Sequence, residues 1–174
     1  MSGCLSPLYL KKRGQFVPCG KCYNCVSQRR NAWTFRLLCE SYHHPYSAFL
    51  TLTYDDDHLP VNTLCKPTLV VDHLNKFFKS LRNDNKSVKY YAIGEYGGKL
   101  GRPHYHAIVF YEDHDILFRD YWPHGSVFEG AVTPASIHYV SKFHMYPKAS
   151  GLKSAYTQRP FRSYEQEVRI SIPR

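Results

Sequence analysis

The sequence predicts an α+β fold, an antiparallel sheet of about five strands flanked by helices. Three observations predict it. Stretches with apolar residues three and four apart alternate with stretches rich in aromatic residues and Thr, the two periods of helix and strand. The middle strands follow one another through short connections, which favours antiparallel pairing with helices packed on one side of the sheet. The chain has 174 residues, 43% of them apolar, enough for one compact core.

Taken in order, residues 1–21 read as irregular, punctuated by Pro7, Gly14, Pro18 and Gly20 and carrying a basic Lys11-Lys12-Arg13 run. Such a run is most often simply solvated. Residues 25–42 turn helical, because Val26, Trp33, Leu37 and Leu38 share a face while Gln28, Arg29, Arg30 and Asn31 line the other. Pro45 marks the next boundary. Residues 47–54, Ser-Ala-Phe-Leu-Thr-Leu-Thr-Tyr, read as a strand, followed by the acidic turn Asp55-Asp56-Asp57 and a loop to about Val70. Asp72 can cap a helix with Leu74, Phe77, Phe78 and Leu81 on one face, ended by Asn83-Asp84-Asn85. Residues 88–95 and 104–111 are two strands joined by a turn containing Gly97, Gly98 and Gly101. Residues 125–132 form a further strand. Thr133-Pro134 starts a last helix, expected to run to about Tyr146 before Pro147 stops it. Residues 167–172 supply a final edge strand. The chain divides into a Cys-rich segment, residues 1–25, and a domain over 26–174, compact as one unit.

The net charge of +9 and isoelectric point of about 9.3 suit a polyanionic partner. With 15 Tyr and 10 Phe beside that charge, single-stranded nucleic acid is favoured, since bases stack on exposed rings. No apolar run approaches the roughly 18 residues of a membrane span, and no leader opens the chain, so a soluble, non-secreted protein is expected.

His104-Tyr105-His106 lies in a strand pattern, so the two imidazoles point to one face and Tyr105 to the other. Alone, this is a weak metal signal. Glu95 strengthens it, because folding the hairpin brings residues 95 and 104 to opposite positions, within about 5 Å at the backbone. Two imidazoles and a carboxylate suit Mn²⁺ or Mg²⁺ and leave sites open for water and a phosphate oxygen. The competing reading leaves Glu95 in solvent and the histidines as ordinary strand residues. On the last helix, Tyr139, Lys142, Phe143 and Tyr146 share a face. Tyr139 can attack a phosphate with Lys142 one turn away, although an amphipathic helix with Tyr139 in the core explains the same spacing.

Cys19, Cys22 and Cys25, with Cys4 upstream, can close a tetrahedral zinc site, or else stand as reduced, partly buried thiols. Cys39 and Cys65 are read as packing residues. Lys89, Tyr90, Tyr91 and Arg102 are candidates for DNA backbone contact and base stacking, and Thr51 and Thr53 for placing the strand to be cut.

Four runs together resemble one family. Val17-Pro-Cys-Gly-Lys-Cys-Tyr-Asn-Cys25 and Gly94-Glu-Tyr-Gly-Gly-Lys-Leu-Gly-Arg-Pro-His-Tyr-His106 resemble replication initiators of microviruses of the gokushovirus branch, small single-stranded DNA bacteriophages. Phe49-Leu-Thr-Leu-Thr-Tyr54 looks like that family's first motif and Tyr139-Val-Ser-Lys142 is similar to its tyrosine motif. The resemblance implies an HUH endonuclease domain over 26–174, with a Rep-like (RRM-like) sheet. It implies rolling-circle initiation: a metal-dependent nick in the viral origin strand, a 5′-phosphotyrosine intermediate, and later rejoining. Glu95, His104 and His106 would take the metal, with Tyr139 the nucleophile and Lys142 its helper. Single-stranded origin DNA and the host replication machinery would be its partners, in the cytoplasm of the bacterial host. Related initiators often carry a second tyrosine four residues after the first, where this chain has Phe143. Three explanations stay open: Tyr139 acts alone, Tyr146 assists, or Phe143 replaces a catalytic tyrosine. The chain is also short for the family. A non-catalytic nucleic-acid-binding module, or a metal hydrolase acting on another phosphodiester, is the competing reading.

Overall fold

The computed structural model describes residues 3–84, 87–98 and 101–141. A hairpin opens it: β1 (Leu8–Leu10) pairs antiparallel with β2 (Gln15–Val17). The sequence reads as irregular here because three-residue strands are too short to express an alternation. Helix α1 (Tyr23–His43) leads to β3 (Tyr46–Thr53), and α2 (Val71–Asp84) follows the acidic loop. Strands β4 (Lys89–Tyr96) and β5 (Pro103–Tyr111) form the expected hairpin. A 3₁₀ turn (Phe118–Tyr121) and β6 (Val127–Ala131) precede α3 (Pro134–Ser141). Thr133 caps α3 as the sequence predicts, its Oγ1 accepting from the Ser136 amide at 3.1 Å with Pro134 at the first helical position.

Strands β4-β5-β3-β6 form one antiparallel sheet. It has four strands among the described residues rather than about five, and the strand expected over 167–172 lies outside them. Helices cover both faces rather than one. On one face α2 inserts Leu74, Phe77, Phe78 and Leu81 against Leu50, Leu52, Tyr105 and Val109. On the other, Trp33 and Leu37 of α1 and Ile137 and Val140 of α3 pack on Tyr91, Ile93, Ile108 and Phe110. A strand covered on both faces reads as a near-continuous apolar run rather than an alternating one. The run Tyr105-His-Ala-Ile-Val-Phe-Tyr111 carries that signal, with residues 107–110 buried without interruption. No helix among the described residues is long and apolar enough to cross a membrane.

Lys89, a candidate DNA contact, is engaged at the far end of this second face. Its Nζ donates to Oε1 of Glu40 at 2.6 Å, and His44 Nε2 lies 2.9 Å from the same oxygen. Glu40 is only 4% exposed. Burial would push its carboxyl up, but the bonds from Lys89 and His44 and their charges outweigh this and hold it below the usual glutamate range. A folded-state pKa below the unfolded one stabilises fully above the unfolded value and is lost as pH falls through the folded one. Lys89→Met should therefore lower stability at neutral pH by about 1–3 kcal/mol, the half-exposed lysine placing it under the full cost of a broken buried pair. Glu40→Gln should flatten the acid side of the stability–pH curve, as measured by urea unfolding between neutral and acid pH.

Candidate active site

Strand pairing assembles the site before any side chain is considered. Glu95 stands opposite His104 across β4–β5, Thr53 opposite His104 and Thr51 opposite His106 across β3–β5. Pleat alternation puts all five side chains on the face that carries α1 and α3. Glu95 Oε2 lies 3.9 Å from His104 Nε2 and 3.6 Å from His106 Nε2. One ligand atom from each of the three residues lies within 4.8 Å of the others.

Both rings are held from behind. His104 Nδ1 donates to the Arg102 carbonyl at 3.1 Å, which places the proton on Nδ1 and leaves the Nε2 lone pair toward Glu95. His106 Nδ1 lies 3.0 Å from Thr51 Oγ1, and its ring stacks on Phe49 at 5.4 Å between centroids. This is the donor set and support a single divalent cation requires. Neighbouring ligands about such a cation sit about 3 Å apart, so a small rotation of Glu95 would complete the contact. His106 is 9% exposed, with Glu95 and His104 more open, so the pocket is shielded on the sheet side yet reachable by a phosphate. Thr51→Val keeps the shape and removes the partner of His106. It should weaken Mn²⁺ binding about ten- to a hundredfold by calorimetric titration, with thermal stability little changed.

Helix α3 delivers the fourth group. Ile137 and Val140 anchor it in the core, and Ser141 Oγ meets Thr34 Oγ1 of α1 at 2.9 Å. Tyr139 thereby faces the sheet: its Oη donates to Glu95 Oε2 at 2.7 Å, and its ring meets His106 edge-on at 5.2 Å. Burial, then the hydrogen bond and charge of Glu95, push the phenol up to about 12. Tyr139 therefore holds its proton at neutral pH, and a cation that offset the Glu95 charge would ease its loss.

The other candidate contacts are placed differently. Tyr91 is 2% exposed against Trp33, and Tyr90 lies buried on Phe78, so neither ring has a face for a base. Arg102 fastens the β4–β5 turn to the end of β3, donating to Asp56 Oδ1 at 2.6 Å and to the Tyr54 carbonyl at 2.7 Å. Thr53 Oγ1 donates to the Ser126 carbonyl at 3.2 Å. Lys142, Phe143 and Tyr146 lie outside the described residues. Sequence reasoning missed Phe49 and the orienting role of Thr51, for which a strand alternation offers no signal. It also missed Phe128, paired with Thr51 on β6 and 66% exposed on the face of the site.

The four cysteine sulfurs of Cys4, Cys19, Cys22 and Cys25 form the second cluster with the make-up of a metal site, again within 4.8 Å of one another.

Comparison with known proteins adds a family. The family model for the replication-associated protein ORF2 matches residues 47–146, a span that holds Glu95, His104, His106 and Tyr139 and excludes the four clustered cysteines. The chain is 42% identical over 100 residues to the replication-associated protein ORF2 of Spiroplasma virus 4, covering 54% of this chain and 31% of that protein. It is 38% identical over 99 residues to ORF4 of Chlamydia phage 1, covering 54% and 24%. It is 30% identical over 174 residues to VP4 of Bdellovibrio phage phiMH2K, covering 88% and 55%. Both of these are likewise replication-associated proteins. The chain thus spans between about a quarter and about half of the length of these relatives. Among solved structures, the hypothetical protein ORF119 of Sulfolobus islandicus rod-shaped virus 1 is similar at a TM-score of 0.43 and 20% identity, covering 64% of this chain and 90% of that one.

Proposed function

We propose that this chain, which belongs to the family of the replication-associated protein ORF2, is a rolling-circle replication initiator that nicks single-stranded phage origin DNA through Tyr139. One observation carries the reading: the Tyr139 hydroxyl lies 2.7 Å from the same Glu95 oxygen that faces Nε2 of both His104 and His106. A nucleophile and a cation-binding set share one atom.

Glu95, His104 and His106 would hold Mn²⁺ or Mg²⁺. Bound there, the cation would polarise the scissile phosphate and offset the charge that develops on it. Tyr139 Oη attacks phosphorus, forming the phosphotyrosine O–P bond while the P–O3′ bond breaks, and the departing oxygen takes up a proton as a 3′-OH. The phenol proton leaves along the hydrogen bond to Glu95. Attack by a 3′-OH on the phosphotyrosine reverses the bonding, rejoins the strand and restores the phenol. Lys142, one helical turn beyond Tyr139, would balance the phenolate. Phe128 would stack a base at the sheet edge and Thr53 would help place the strand. The new 3′-OH would prime the host replication machinery in the bacterial cytoplasm.

The test uses single-stranded oligonucleotides tiling the phage origin, incubated with the protein and Mn²⁺ and run on a denaturing gel. The expected result is a protein–DNA band carrying a 3′-end label, and a released fragment carrying a 5′-end label. Retardation on a native gel with no cleavage under any divalent metal would refute the nickase reading and leave a binding module. Cleavage with no covalent band would instead point to metal-dependent hydrolysis.

A further inference from the structure

We propose that Cys4, Cys19, Cys22 and Cys25 bind one structural Zn²⁺, which fixes the β1–β2 hairpin to the start of α1. Four separate pieces of chain converge here. Cys4 precedes β1, Cys19 follows β2, Cys22 caps α1 and Cys25 sits in its first turn. Cys19 and Cys25 bring their sulfurs to 3.9 Å, as do Cys4 and Cys22, and none of the four lies more than 4.8 Å from another. Four thiolates about a single Zn²⁺, each at about 2.3 Å, are about 3.8 Å apart along the edges of a tetrahedron. Two disulfides would instead need sulfur pairs drawn to about 2 Å. An iron–sulfur cluster would spread the four sulfurs wider, since irons and sulfides stand between them.

The backbone is shaped for charged sulfur. The amides of Lys21 and Cys22 both donate to Cys19 Sγ, at 3.4 and 3.3 Å, and the Cys19 amide donates to Cys4 Sγ at 3.3 Å. Such amides stabilise metal-bound thiolates much as they cradle other anions. The turn that aims the first two needs Gly20 at φ +72°, a left-handed conformation that costs a residue with Cβ.

Among the described residues, apolar packing gives this segment little other anchorage. Leu8, Tyr9, Leu10 and Phe16 of the hairpin are all exposed, and neither core cluster contains a described residue ahead of Trp33. A metal supplies the rigidity that burial does not. All-thiolate ligation selects zinc over the harder cations suited to Glu95, His104 and His106. Each thiol gives its proton to solvent on binding. This site is independent of the nicking reading and stands if that reading fails.

The test is the metal content of the purified full chain after exhaustive dialysis, by plasma mass spectrometry, with cobalt reconstitution beside it. We expect one zinc per chain, and for cobalt the intense visible absorption of a tetrahedral thiolate site. Glu95→Ala/His104→Ala/His106→Ala should keep the zinc, and Cys19→Ser/Cys22→Ser should lose it. Because the cysteine variant can unfold, alkylation of the unmodified protein gives a second readout. Cys39 and Cys65 alone should react until a strong chelator exposes the other four. Iron in place of zinc, six thiols reacting at one rate in the absence of chelator, disulfides among the four, or zinc lost with the Glu95 triple variant would each overturn the assignment.

Discussion

Tyr139→Phe should abolish the covalent protein–DNA band and lower strand cleavage at least about a thousandfold, roughly 4 kcal/mol of barrier. The substitution removes one oxygen, the atom proposed to form the phosphotyrosine bond. It should leave the fold in place: the ring keeps its edge contact with His106, while Ile137, Val140 and Ser141 still anchor α3. The hydrogen bond to Glu95 is lost, a change of about 1 kcal/mol in either direction, because a partly buried carboxylate loses a donor but regains access to water. Thermal unfolding beside the denaturing gel separates the two effects. A covalent band that persists in the variant moves the nucleophile to another tyrosine, with Tyr146 the first to examine.

His106→Ala should be the most damaging change to the cation set. It takes away one of three ligands and, unlike His104→Ala, also opens a gap beneath α3, where the ring stacks on Phe49 and meets Tyr139. The expected losses are about 10²–10³-fold in metal-dependent cleavage and about 2–3 kcal/mol of stability. Glu95→Gln separates the two: it keeps an oxygen for the Tyr139 hydroxyl to donate to, so the fold should survive while Mn²⁺ binding falls. Calorimetric Mn²⁺ titration of the three variants checks this. Equal Mn²⁺ affinity in His106→Ala and the parent protein would remove the imidazole from the ligand set.

Much of the site was legible because it is local. His104 and His106 share a face by strand alternation alone, and the glycine-rich turn brings Glu95 opposite His104 in the register the hairpin length implies. The cysteine cluster was partly legible for a similar reason, since Cys19, Cys22 and Cys25 lie within seven residues. Tyr91 and Lys89 show where local reasoning stops. Alternation places both on the face of the catalytic candidates, but Trp33 covers one ring and buried Glu40 engages the other charge, both from α1.

The sequence by itself determined the α+β class, the order of the central elements, the cap of α3, the pairing of Glu95 with two histidines, and the basic, aromatic character suited to single-stranded DNA. Only the tertiary structure decided that helices cover both sheet faces, that Tyr139 arrives from 44 residues away to meet Glu95, and which aromatic rings remain exposed. The reason is the range of the forces involved. Periodicity and turn chemistry record what each residue does to its near neighbours along the chain. Which helix settles on which face depends on the total apolar area buried between elements distant in sequence, and that sum is settled only when the whole core closes.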